Sequence, residues 1–362
     1  MSYLVSKRRH HAPLLHATIR AVAAGTLVAC SDATVPTALS RNDRATLAAN
    51  GDGSLAVTSV IGLEPLDQAL NQGEARGVND GGQVVGSSRD VDGTHAVVWD
   101  NTPFPEILPM PVGVGESVAK AINNTGTIVG ASTINGTAVA TRWVKVNGAW
   151  KGIVVEPVPP NLIAEVALGV GDDGSIVGYS ETTSGLGGFI WQNGVRRDLG
   201  LVDIMRVDGV ANRSLVAGTT VGFVAAIWSP AAGVTELGTL GGTSSSATDV
   251  NASGVVSGTS SLSNGSKHAF RWTSKNGLTD LGTFGGSSSF GNAISDFGQI
   301  VGSSETSFGA EHAAMWLKGK ALDLGALPGY VDSKAFGISN SNQIVGVSIA
   351  PGGIRATKWT VK

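Results

Sequence analysis

The chain has a single cysteine, Cys30, so no intramolecular disulfide can form. Charge is sparse: Asp, Glu, Lys and Arg together make up 15% of the 362 residues. Long amphipathic helices would need more Leu, Glu and Lys than are present, which sets the chain apart from helical bundles. After residue 30 no stretch approaches the ~20 apolar residues of a membrane-spanning helix. A basic surface is missing as well. The first 29 residues hold Lys7, Arg8, Arg9 and Arg20 and no acid, leaving 21 Lys and Arg against 28 Asp and Glu, a balance of −7. No basic stripe is left to make phosphate contacts, so a nucleic-acid partner is not expected.

What is abundant is glycine, at 51 residues, without the three-residue period of collagen. Ser, Thr and Asn are also frequent. That composition suits many tight turns joining short buried strands.

Residues 1–30 read as a signal peptide. Lys7-Arg8-Arg9-His10-His11 precedes an apolar stretch that ends Leu27-Val28-Ala29-Cys30. The last four residues resemble the bacterial lipobox, which implies cleavage before Cys30 and a lipid on its sulfur. A thiol is the nucleophile that this acylation needs, and acyl chains would hold the protein on a membrane. Ser31 follows directly, so the Asp that signals inner-membrane retention is absent and an outer-membrane or cell-surface lipoprotein is expected. The alternative is an ordinary secretory signal with an incidental cysteine. Residues 31–56, rich in Ala, Thr, Asn, Asp and Gly and lacking apolar periodicity, read as a flexible tether.

From residue 57 to residue 362 one unit recurs seven times. Its anchor is a Val-x-Gly-like step ending at Gly86, Gly130, Gly178, Gly218, Gly258, Gly302 and Gly346, 40 to 48 residues apart. A tryptophan follows each: Trp99, Trp143, Trp191, Trp228, Trp272, Trp316 and Trp359. Of the 8 tryptophans only Trp150 falls outside the period. Within a unit, Ala293-Ile294-Ser295, Gln299–Ser303, His312–Trp316 and Leu322–Leu327 read as four strands. Asn, Asp and Gly fill the first connection, as in Asn79-Asp80-Gly81-Gly82, and they tolerate the positive φ of tight hairpins. Adjacent strands are therefore antiparallel. A parallel β-helix has shorter coils and no tight hairpins, so seven ~44-residue units point to an all-β, seven-bladed β-propeller of four-stranded blades. The seventh unit ends at Trp359-Thr360-Val361-Lys362, one strand short. Val57–Leu66 resembles the missing strand and is expected to complete the last blade.

Thr279-Asp280-Leu281-Gly282-Thr283-Phe284-Gly285-Gly286, Gly298–Gly302 and His268-Ala269-Phe270-Arg271-Trp272 together resemble the bacterial extracellular HAF-repeat family. The likeness covers roughly 57–362 and is strongest in the fifth and sixth repeats. His95-Ala96-Val97 and His312-Ala313-Ala314 carry the eponymous triplet only in part. The resemblance implies export and a propeller-like repeat, with no established activity.

Chemistry is harder to find. No Gly-x-Ser-x-Gly elbow opens a helix. His95, His268 and His312 each stand four residues before the tryptophan and read as rim positions in different repeats. Asp90-Val91-Asp92-Gly93 begins like a calcium loop, yet the later bidentate Glu is absent, so it reads as a turn. Gly241-Gly242 and Gly285-Gly286 open no helix and are expected to bring the chain back from the outer strand to the axis. No catalytic residue, metal site or cofactor is assigned. Loops between second and third strands vary most, and variable loops on a rigid scaffold carry function. Asp92, Glu181, Lys267, Glu305 and Glu311 are the candidate binding residues there, with Trp150 as a further exposed contact. The expected function is a non-enzymatic scaffold for an unidentified glycan or protein. The alternatives are a polysaccharide lyase or hydrolase with carboxylates in the central channel, and a structural envelope component. Membrane contact is expected only through the lipid.

Overall fold

The computed structural model describes residues 55–199, 206–211 and 215–362, together with the short strand Arg44–Ala45. The expected signal peptide, Cys30 and nearly all of the expected tether lie outside the described residues. Within them the structure is all-β, with no helix. Four sheets have four strands, one has five and one has eight. The eight-stranded sheet is two meanders, 117–154 and 162–198, that meet at a single parallel pair, Ala164 and Ala138. Every other pairing between named strands is antiparallel and, with one exception, joins consecutive strands. The exception is Val57–Gly62, which pairs antiparallel with Gly353–Val361, placing Val60 opposite Trp359. The edge of Val57–Gly62 is in turn covered by Arg44–Ala45.

The recurrent glycine has a mechanical cause. In each of the seven repeats the first strand carries a bulge opposite it, for example between Ala75 and Gly77 opposite Gly86. The bulge turns a carbonyl toward the second strand. A Cβ at Gly86 would lie 1.8 Å from the Glu74 oxygen, and one at Gly302 would lie 1.8 Å from the Phe290 oxygen. No side chain fits there, so the close strand approach selects glycine.

The recurrent tryptophan fills the space between sheets. Trp143 packs with Val85, Ala96 and Val98 of the preceding repeat, and Trp316 packs with Ala269. Trp99 and Ala75 of the first repeat pack in the same way with Val345 and Ala356 of the seventh. Both sides of the third strand are buried, as Ala269 and Phe270 show. At about 25 cal/mol per Å² of apolar surface, such two-sided burial stabilises a chain of modest Leu content.

Serine, abundant in the sequence, fastens one repeat to the next. Ser289, fully buried in a first strand, accepts the Ala269 N–H at 2.9 Å and donates to the Gly282 carbonyl at 2.6 Å, both in the preceding repeat. Ser245 and Ser333 do the same with Ala225 and Gly238, and with Ala313 and Gly325. Ser117 accepts the Ala96 N–H. Second-strand serines take the connecting segment, as Ser304 accepts the Phe284 N–H. A buried hydroxyl that both donates and accepts leaves no polar group unpaired.

Candidate functional site

First strands from all seven repeats line one channel of about 270 Å³. Its mouth is organised by the hairpins between first and second strands. The Asp80 N–H donates to Asn124 Oδ1 at 2.9 Å, and the Asn124 N–H donates to Asp172 Oδ1 at 2.8 Å. The Ala252 N–H reaches Asp296 at 3.0 Å, and the Asp296 N–H reaches Asn340 at 2.8 Å. The Asn340 N–H returns to Asp80 Oδ1 at 2.6 Å.

This arrangement consumes the channel's acids. Among the described residues four carboxylates line it: Asp80, Asp172, Asp249 and Asp296. Both oxygens of each accept a hydrogen bond from the chain. Asn340 supplies both donors to Asp80, and Asn124 supplies both to Asp172. Asp249 accepts from the Val250 and Ile294 N–H groups, and Asp296 from the Ala252 N–H and Asn340 Nδ2. Among the described residues no three His, Cys, Asp or Glu side chains stand close enough to hold a metal ion.

The other end of the meanders carries the turns between second and third strands and the segments linking repeats. Glu305 and Glu311 face each other there in the sixth repeat. Ser287 donates to Glu305 through its N–H at 2.8 Å and its hydroxyl at 2.6 Å, which holds the Glu305 carboxyl below its ordinary range. Glu311 pairs with Lys334 at 2.6 Å and accepts from Ser303. Lys267 is exposed in the fifth repeat. Glu181 and Asp92 belong to the third and first repeats, so the candidates form one local pair and three separate positions. Asp92 donates its N–H to Asp90 Oδ1 at 2.8 Å, which makes 90–93 a self-contained turn. Burial raises the Asp90 pKa, but the Asp92 N–H and His95 outweigh it and hold the carboxyl below the usual range.

Trp150 departs from its expected place. It lies in the fourth strand Ala149–Val154, beside the turn between third and fourth strands and thus at the opposite end from the other candidates. Its ring packs against the cluster of Trp143 and Val98, and Lys145 Nζ stands 4.9 Å from it. The three histidines among the described residues are partly buried and each meets an aspartate of its own repeat: His95 with Asp90, His268 with Asp280 and His312 with Asp323.

What the sequence reading missed is apolar. Val91 is 85% exposed, Val114 97% and Phe308 96%, all at the end of the second-to-third turns. Phe223, Val112 and Val331 are also exposed at that end. These hydrophobic tips stand beside the charged candidates in the same loops and are a signal that the sequence carries.

No family model and no curated protein matches the sequence. Among solved structures the chain is similar to an oligogalacturonate lyase in complex with manganese, with TM-score 0.57 and 11% identity over 85% of this chain and 96% of that one. It is also similar to TolB from Acinetobacter baumannii, with TM-score 0.42 and 15% identity over 77% and 81% of the two chains. At such identities the first likeness shows the fold alone: an all-β, propeller-like arrangement of four-stranded sheets.

Proposed function

We propose that the chain is an exported seven-bladed β-propeller whose N-terminal strand Val57–Gly62 completes the last blade, and that it works as a non-catalytic binding scaffold. The pairing of Val57–Gly62 with Gly353–Val361 and the packing of Trp99 against Ala356 support the closed ring. The HAF-repeat resemblance and the Leu27–Cys30 lipobox support export and anchoring at the cell surface through Cys30. A Cys30→Ser variant then leaves the membrane fraction.

One observation carries the binding role. Exposed large apolar residues gather at the end of the second-to-third turns, with Val91, Val114 and Phe308 almost wholly in water. Unsatisfied apolar surface on a rigid scaffold marks an interaction face. Of the two ligand classes that the sequence suggests, valine and phenylalanine tips favour a protein. The lyase or hydrolase reading is the weaker one, because the described channel carboxylates are engaged in joining the repeats.

The test offers the purified protein to solubilised envelope proteins and to a polysaccharide panel, scoring retention and released sugar together. Retention on protein that falls about tenfold in a Phe308→Ser, Val114→Ser double variant supports this reading. Release of sugar overturns it.

A further inference from the structure

The junction between the fifth and sixth repeats differs from its counterparts. At four other junctions the repeat's tryptophan donates its indole N–H to a carbonyl of the preceding repeat: Trp99 to Glu64, Trp143 to Pro109, Trp191 to Glu156 and Trp359 to Gly325. The indole Nε1 of Trp316 is buried and has no partner. Beside Trp316 a cleft of about 440 Å³ opens between the two sheets. That volume lies in the range of small-ligand sites.

Several side chains around the cleft are donors, set beside the apolar Leu281, Ile300 and Leu317. Arg271 and Lys318 line it, and Lys275 and Lys320 stand next to the lining residues Asn276 and Gly319 in sequence. Among the described residues none of the four forms an ion pair. The single carboxylate in the lining, Asp280, is held by His268 Nδ1 at 2.9 Å and by the Gly282 N–H at 2.8 Å. Two unpaired cations in the lining, Arg271 and Lys318, stand out in a body whose balance is −7. At the rim, Phe297 offers a ring that is 70% exposed.

We propose that this cleft takes a carboxylated sugar unit of an acidic polysaccharide. Arg271 and Lys318 receive the carboxylate, since guanidinium and ammonium groups make charge-assisted hydrogen bonds to it. The C–H face of the sugar ring lies on Phe297. Elsewhere the acidic surface repels such a polymer, so the cleft also selects its orientation. The site sits at the end of the propeller opposite the apolar tips and does not depend on them.

The test titrates the full chain with a hexameric polyuronate, with its methyl ester, and with inorganic phosphate, following tryptophan fluorescence and heat. The expected result is that the ester binds at least about tenfold more weakly than the acid, and that Arg271→Ala causes a similar loss. Phe297→Ala weakens binding without changing its salt dependence. Phe308→Ser, and Lys151→Ala on an outer strand of the second repeat, leave it unchanged. Thermal melts confirm that each variant is folded. Equal affinity for acid and ester, or an unaltered Arg271→Ala variant, overturns the proposal. Displacement of the polyuronate by equimolar phosphate also overturns it, in favour of an adventitious ion only.

Discussion

Asn340 in the seventh repeat donates its backbone N–H to Asp80 in the first, at 2.6 Å, and so joins residues 260 apart in sequence. The same kind of bond links first to second and second to third repeats, where no long loop has to close. Asp80 therefore does a job that its equivalents do not: it ties the two ends of the array. Asp80→Ala is expected to cost about 0.5–1.5 kcal/mol, the net contribution of a hydrogen bond, because it removes the acceptor of the Asn340 N–H while Asn340 Nδ2 keeps Asp296. Removing residues 1–66 takes away the strand paired with Gly353–Val361 and is expected to abolish cooperative unfolding. Denaturant titration reads both, and a truncated chain that unfolds in one sharp transition contradicts the closed ring.

A gap in the serine series makes a second prediction. Ser117, Ser245, Ser289 and Ser333 each accept an N–H from the preceding repeat. The equivalent place in the first repeat is Gly73. A Cβ built there would stand 3.8 Å from the Ala356 nitrogen, in ordinary contact with its surroundings, and Gly73 has no positive φ. Gly73→Ser is expected to supply the missing acceptor and stabilise the protein by about 1 kcal/mol. Gly73→Ala, which removes backbone freedom from the unfolded chain but adds no acceptor, separates the two effects. A serine variant no better than the alanine variant removes the hydrogen bond from the explanation.

In the third repeat the same place holds Glu165, fully buried. Burial pushes its carboxyl up, against the pull of Arg196 and Ser180. Arg196 reaches it from the fourth strand, with its guanidinium over the Phe189 ring. Removing one partner of a buried pair leaves an uncompensated charge. Arg196→Met is expected to cost about 3–5 kcal/mol. Glu165→Gln on that background is expected to return part of the loss, because no buried charge remains. A melting-temperature cycle of the four proteins measures the coupling, and simple additivity of the two single changes rules it out.

The repeat was legible because its markers have strong local causes. Gly302 stands where a bulged carbonyl leaves no room for a Cβ, and Trp316 fills the gap between sheets. Such positions tolerate little substitution, so they recur visibly. Ser289 and Asp80 were legible only in part. Both look like turn or surface residues, and their role depends on partners in another repeat, which local pattern does not reveal. Trp150 fell outside the period and looked exposed, but the fourth strand folds it against a buried cluster. The apolar tips Val91 and Phe308 are legible as well, because an apolar residue inside a polar turn has no sheet face to bury it.

The repeat also explains an awkward lysine. Lys358 precedes Trp359 and pairs in register with Val345. In the sixth repeat the same place is Met315, opposite Val301 and almost fully buried. Burial lowers the Lys358 pKa from its ordinary value. The folded state then binds fewer protons than the unfolded state between the lowered and the ordinary pKa. Stability consequently rises with pH through that window, and the full burden of the buried charge is felt below it. Lys358→Met is expected to stabilise the protein at neutral pH by about 1 kcal/mol. The gain should shrink as pH approaches the ordinary lysine range, because the wild-type side chain then folds uncharged. Melting curves of both proteins from neutral to alkaline pH test this. A gain that stays constant with pH would mean that methionine acts through packing alone.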